Sequence, residues 1–157
     1  MLRALFVEYP NDPGAWLVDN EYLFGSDILV APLFEESVYQ RQVYLPEGQW
    51  IDYQTGRSYA GGWHTLQAGK LPVILLVREG AVIPHIALAQ HTGEMDWSKL
   101  ELLVYAKNAT QATGRVYLPT DAQSQSLTLK KKGKTWSLAG DPYNGKVKWK
   151  IATGAQQ

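Results

Sequence analysis

Residues 21–32, EYLFGSDILVAP, decide how this chain is read. The polar turn Gly25-Ser26-Asp27 gives way to the apolar run Ile28-Leu29-Val30-Ala31, closed by Pro32. Such a run between turn signals reads as a short strand buried on both faces, the kind found in the middle of a parallel sheet. On its N-terminal side, residues 2–9 (LRALFVEY) are apolar and β-capable, and they stop at Pro10 and the turn cluster Asn11-Asp12-Pro13-Gly14. Asp12 before Pro13 reads as an N-cap followed by a first-turn proline, so a short helix is expected over residues 14–24, with Gly25 closing it. Strand, helical turn, strand is a βαβ fragment, which calls for parallel neighbours.

On the C-terminal side the pattern changes from Val38 onward. Short runs rich in Val, Tyr, Leu, Ile and Trp (QVYLP, QWIDYQTG, LPVILLVREGAVIP, KLELLVYAK, SLTLKK, KTWSLAG) alternate with turns. This spacing predicts an antiparallel sandwich. Gly48, Gly56, Gly61-Gly62, Gly80, Gly114, Gly133 and Gly145 fall where turns are expected. Val43-Tyr44-Leu45-Pro46 recurs as Val116-Tyr117-Leu118-Pro119, an echo read as two strands of similar geometry. Residues 84–97 are the most loop-like interior segment. Near the C-terminus Lys146, Lys148 and Lys150 alternate with Val147, Trp149 and Ile151, the period of a strand with one wet face.

Composition excludes several function classes. The net charge of zero argues against a chain-wide nucleic-acid or membrane-surface role, although residues 1–36 carry one base against seven acids. There are no cysteines, so disulfide scaffolds, thiolate metal sites and cysteine nucleophiles are excluded. The N-terminal stretch is a poor signal peptide and no apolar run approaches the roughly 20 residues of a membrane-spanning helix. A soluble chain of undetermined compartment is expected.

Candidate chemistry is sparse. Glu35 and Glu36 are adjacent, and on extended backbone adjacent side chains point to opposite faces. Asp19 and Glu21 flank Asn20, where capping and solvation suffice; Glu94 and Asp96 lie where turn chemistry suffices. His85 and His91 are six apart, which fits neither a helical nor a strand metal pair, and His64 stands alone. No GxSxG, GxGxxG or Walker pattern occurs. Asn108-Ala109-Thr110 is a short glycosylation sequon. The expectation is therefore no catalytic residue, no cofactor-binding residue, no metal ligand and no cofactor. Six tryptophans and nine tyrosines leave one further class open, a carbohydrate-binding module stacking sugars on Trp50, Tyr53, Trp63, Trp136 or Trp149. Against it stands the bulk such rings supply to small cores.

Four ordered motifs carry a resemblance: residues 4–10 (ALFVEYP), 22–32 (YLFGSDILVAP), 44–52 (YLPEGQWID) and 77–84 (VREGAVIP). Over residues 3–84 the chain resembles the C-terminal part of glycoside hydrolase family 31, which contains α-glucosidases and α-xylosidases. From Lys99 onward the resemblance is weak. Gly93-Glu94-Met95-Asp96-Trp97 leans toward the α-xylosidase branch.

The resemblance implies a mainly β fold: residues 1–34 as the last strand-helix-strand piece of a truncated (β/α)8 barrel, 35–97 as a proximal and 98–157 as a distal C-terminal β domain. It implies retaining chemistry with two carboxylates about 5–5.5 Å apart, both contributed upstream of this chain. The nucleophile motif is absent here, since Met95-Asp96 has the reverse order. The chain is then a C-terminal fragment of a retaining α-glycosidase, inactive alone. Its partner is the upstream barrel, and an α-linked oligosaccharide is the parent substrate. A barrel of about 250 residues would supply the companions that Ile28 lacks, so residues 1–34 are expected to be mobile or held against another polypeptide.

Overall fold

The computed structural model describes residues 1–119, 121–140, 143 and 147–152. Gly145, expected at a turn, and Lys146, expected on the last strand, lie outside the described residues. The chain is mainly β and divides into two compact units, Met1–Arg78 and Glu79–Ala152.

The first unit holds one six-stranded sheet: β1 (Leu2–Ala4), β2 (Tyr22–Phe24), β3 (Ile28–Pro32), β4 (Gln40–Asp52), β5 (Ser58–Gln67) and β6 (Val73–Arg78). Their spatial order is β1-β2-β3-β6-β4-β5, with every neighbour antiparallel. The parallel sheet expected around Ile28 is therefore corrected. β3 pairs with β2 through a turn at Gly25 (φ 69°) and with β6 on its other side. Burial on both faces was read correctly, because Leu29, Val30 and Ala31 are all buried. The direction of the neighbours was not, since an apolar run carries no record of strand polarity.

The companions of β3 also lie in this chain. Leu5, Ala15, Leu23, Leu29 and Ala31 join Val43, Leu45, Trp50, Leu66, Ile74 and Leu76 in a single core. Five side chains of residues 1–34 thus complete the core that 43–76 build. The segment between β1 and β2 also differs from the sequence reading. After Ala4 the backbone makes one helical turn, α1 (Leu5–Glu8), and then a second, α2 (Pro13–Trp16). Asp12 caps α2 as expected, accepting the Gly14 amide at 2.9 Å, and Pro13 takes the first-turn position. The helix ends at Trp16 rather than running to residue 24, and Gly25 turns a hairpin rather than closing a helix.

The second unit holds β7 (Ala81–His85), β8 (Glu101–Tyr105), β9 (Gln111–Val116), β10 (Gln125–Lys132), β11 (Thr135–Ala139) and β12 (Lys148–Ile151). They are ordered β11-β10-β9-β7-β8-β12. Pairing is mostly antiparallel, but β12 runs parallel to β8 and β7 meets β9 in parallel. Leu102, Val104, Ala112, Val116, Leu127 and Leu129 form its core, with Trp136 and Trp149 packed against them. Lys148 and Lys150 alternate with half-buried Trp149 and Ile151, as the period-2 pattern requires. The Val-Tyr-Leu-Pro echo does not survive as two equivalent strands. The first copy lies inside β4, whereas the second leaves β9 after Val116.

The expected divisions at 34/35 and 97/98 do not coincide with this seam. β1, β2 and β3 share a sheet with β4, β5 and β6, and the units part at 78/79, in the turn joining β6 to β7.

Candidate functional site

The most developed concavity of the first unit is a cleft of about 920 Å³ between the α1–α2 connection, the irregular middle of β4 and the start of β5. Each wall follows from a local sequence feature. The pairing of β4 with β5 slips between Leu45 and Gln49, where Pro46-Glu47-Gly48 bulges out of register. Gly48 sits at φ 129°, a conformation side chains rarely adopt. The bulge is held from inside: fully buried Trp50 donates its indole N–H to the Pro46 carbonyl at 2.9 Å. Two positions further along the strand, Asp52 closes the next turn by accepting the Gln54 and Thr55 amides at 2.8 and 2.7 Å. The recognised spacing of residues 44–52 thus has a mechanical meaning, with Leu45 and Trp50 in the core, Gly48 at the bulge and Asp52 as cap.

Tyr44 ties the two walls together. Its hydroxyl donates to Asp12 Oδ1 at 2.6 Å, and its ring lies where a side chain on Gly14 would have to go. Burial first, and then the Asp12 carboxylate, push the Tyr44 hydroxyl up to about 12. Trp63, directly across β5 from Tyr44, leans on the same ring with centroids 5.2 Å apart. On the N-terminal side, Arg78 donates to the Tyr9 hydroxyl at 2.6 Å and to the Ser26 carbonyl at 2.7 Å. Its guanidinium lies over the Tyr9 and Trp50 rings, 5.5 and 5.8 Å from their centroids. Burial raises the Tyr9 hydroxyl above its ordinary value, opposed by Arg78.

The carboxylates fall as follows. Glu8 pairs with Arg3 at 2.5 Å. Asp19, Glu35 and Glu36 are exposed. Asp96 caps a short 3-10 turn (Trp97–Lys99), accepts from Ser98 and pairs with Lys99. Its hydrogen bonds from Ser98 and Lys99 hold it below the usual carboxylate range. Glu21 departs from the solvated role expected of it and is only 4% exposed. Its Oε1 accepts the Tyr44 amide at 3.0 Å beside the Arg41 guanidinium, while Oε2 has no hydrogen-bond partner among the described residues. Burial drives its carboxyl up to about 7. Sequence reasoning missed it because Glu21 opens a polar-looking turn whose burial depends on β4, some twenty residues later.

The histidines stay separate in role. His64 Nε2 donates to the Ala60 carbonyl at 2.8 Å, His91 approaches Glu94, and burial lowers His85. Among the described residues, no group of three or more His, Asp and Glu is arranged to hold a metal ion. No described helix is long and apolar enough to cross a membrane. Of the five aromatic candidates, Trp50 is core, Tyr53 is half-buried, Trp136 and Trp149 pack on the second core, and Trp63 is 53% exposed.

Residues 1–83 match the model of the glycosyl hydrolase family 31 C-terminal domain. The chain belongs to glycosyl hydrolase family 31. The family match runs without interruption through residue 34, in keeping with the single sheet that β1–β6 form. This family 31 chain is 30% identical over 132 residues to alpha-glucosidase 2 of Bacillus thermoamyloliquefaciens, covering 83% of itself and 16% of that protein. Over 107 residues it is 33% identical to the alpha-xylosidase of Saccharolobus solfataricus, covering 67% of itself and 15% of that enzyme. The solved GH31 dextranase of Flavobacterium johnsoniae complexed with glucose superposes with a TM-score of 0.73 at 26% identity, over 87% of this chain and 18% of that one. The family 31 chain therefore spans about a sixth of the length of these two curated relatives.

Proposed function

We propose that this chain serves as the C-terminal β portion of a retaining α-glycosidase, bracing a catalytic domain that lies N-terminal to it in sequence and cleaves α-glucosidic or α-xylosidic bonds. The first unit then corresponds to a proximal and the second to a distal β domain. The reaction's nucleophile and acid belong to the catalytic domain, and none of this chain's residues takes either role.

One observation carries the bracing role. Large apolar side chains crowd the surface of residues 1–24. Leu2 and Phe24 face each other across the β1–β2 pair, Phe6 stacks on Trp16 at 4.7 Å, and Trp16 and Leu17 are 59% and 77% exposed. Trp16 is also fixed in place, its indole N–H bonded to the Pro10 carbonyl at 2.9 Å. A contiguous, pre-positioned apolar patch on a folded unit is a docking surface. β1 is the sheet's edge strand, so the same side also offers unpaired backbone.

Co-expression with a family 31 catalytic domain trimmed of its own C-terminal portion tests this. The expected result is a stable complex that turns over an aryl α-glucoside or α-xyloside, no turnover by this chain alone, and loss of the complex with Leu17→Asp plus Trp16→Asp. Turnover by the chain alone, or association indifferent to those substitutions, overturns the proposal.

A further inference from the structure

We propose that the cleft beside Tyr44 is a non-catalytic binding site for a neutral oligosaccharide, with Trp63, which packs on the lining residue Tyr44, as the stacking platform next to it. The choice of an oligosaccharide rests on the glycosidase reading above; the location rests on the geometry alone.

Three features converge on this ligand class. Trp63 is the one large aromatic of the sequence-derived set that the fold leaves more than half exposed, and the Tyr44 ring beneath props it in place. A sugar ring has an apolar C–H face that lies against such an indole, whose π-face carries partial negative charge. The walls supply acceptors and amides for the hydroxyl rim, with Asn11 on one side and Glu47 and Gln49 on the other. Glu47 and Gln49 are exposed on the β4 bulge, where Gly48 turns the backbone outward.

The glycines shape the floor. Gly61 and Gly62 lie next to Trp63 in β5. A Cβ on Gly61 would strike the Pro46 carbonyl, while Gly62, at φ 118°, has open space on its side-chain direction. The result is a shallow bay of flat backbone beside an aromatic edge. At about 920 Å³ it lies within the usual range of ligand clefts, roughly 300–1,000 Å³.

Charge narrows the ligand further. Glu8, Asp12 and Glu47 are among the residues that line the cleft, and no lysine or arginine is. A phosphorylated, sulfonated or carboxylated ligand would meet the carboxylates of Asp12 and Glu47 with no lining cation to offset them. A metal ion is not favoured either, because Glu8 is engaged by Arg3, and Asp12 Oδ1 already accepts the Gly14 amide and the Tyr44 hydroxyl. A neutral polyol with an apolar face remains.

The test is an NMR titration of the full chain with isomaltotriose, maltotriose and xylotriose, followed in parallel by tryptophan fluorescence. Saturable shifts are expected at the Trp63 indole N–H and the Gly61 and Gly62 amides for at least one of these sugars. Trp63→Ala and, separately, Glu47→Ala should each weaken binding about tenfold. Tyr117→Ala, which removes an exposed ring in the second unit, should leave it unchanged. Glu47 is exposed, so its variant keeps the test decisive if Trp63→Ala disturbs the fold. Absence of saturable shifts with all three sugars, shifts confined to other residues, or unchanged affinity in the Glu47 variant overturns the proposal. None of these outcomes touches the bracing role, which is decided separately by the co-expression experiment above.

Discussion

The Glu21 carboxylate accepts the Tyr44 backbone amide at 3.0 Å, linking the residue before β2 to the middle of β4 from a position shut off from solvent. One oxygen is satisfied and the other has no hydrogen-bond partner among the described residues. A carboxyl held this way prefers its neutral form, and burial raises it from 4.5 to about 7 despite the Tyr44 amide and the Arg41 guanidinium, which both favour the charged form.

Stability should consequently fall as pH rises through that window. Below 4.5 the group is protonated in folded and unfolded chains alike, and the neutral carboxyl suits the fold. Between 4.5 and about 7 the unfolded chain releases a proton that the folded one retains, so the advantage drains away. The full change is on the order of 3 kcal/mol. Glu21→Gln keeps the shape and removes the titration. Urea unfolding midpoints should show the variant gaining on the parent protein as pH rises from 4.5 to 8, and a constant difference would refute this.

Gly14 should be intolerant of any side chain. A Cβ there would fall within the Tyr44 ring, so Gly14→Ala must push Tyr44 away from Asp12. A loss of about 1–3 kcal/mol is expected, the usual range for overpacking. In a Tyr44→Ala background the same change should cost far less. A double-mutant cycle by denaturant unfolding measures this coupling, and additive costs would count against it.

Arg78 should resist even conservative change. It donates to Tyr9 and Ser26, approaches Asp27 to 3.8 Å and covers two aromatic rings. Lysine offers a point charge in place of a planar fork. Arg78→Lys should lower stability by about 1–2 kcal/mol, read as a reduced thermal midpoint with unchanged far-ultraviolet circular dichroism.

Trp50→Phe separates packing from hydrogen bonding at the β4 bulge. The variant keeps an aromatic in the core but leaves the Pro46 carbonyl without its indole donor. A cost of about 2–4 kcal/mol is expected from volume and the orphaned acceptor together. Amide exchange at Glu47, Gly48 and Gln49 should accelerate beyond what global destabilisation explains.

How much of this was legible beforehand depended on whether the cause was local. The Asp12 cap, Pro13 at the first helical position and the turns at Gly56, Gly80 and Gly133 were readable because each acts within a few residues, whereas Gly61, Gly62 and Gly114, expected at turns, lie inside β5 and β9. The wet-dry alternation at Lys148 and Lys150 was readable for the same reason. Motif spacing located the family. The direction of β3 was not readable, since Ile28-Leu29-Val30-Ala31 looks the same in either orientation and its partner β6 begins forty residues later. Glu21 was misjudged for a related reason: its environment is made by Arg41 and Tyr44, which no local window contains. The cleft was invisible until the slip in β4 brought the bulge opposite residues 9–13. Trp63, which packs on its lining residue Tyr44, was already among five candidates, but only exposure could single it out.

The seam at Glu79 has an evolutionary corollary. All six strands that precede it lie in one sheet and all six described strands that follow it lie in the other, so no ladder is interleaved across that point. The chain passes from β6 to β7 through Glu79 and Gly80 alone, the latter at φ 86°. Recombination there would graft a new tail without unpicking a single strand pairing upstream. A lineage can thus hold its N-terminal sheet fixed while trading the module behind it, and the family match ends at residue 83, just beyond that crossing.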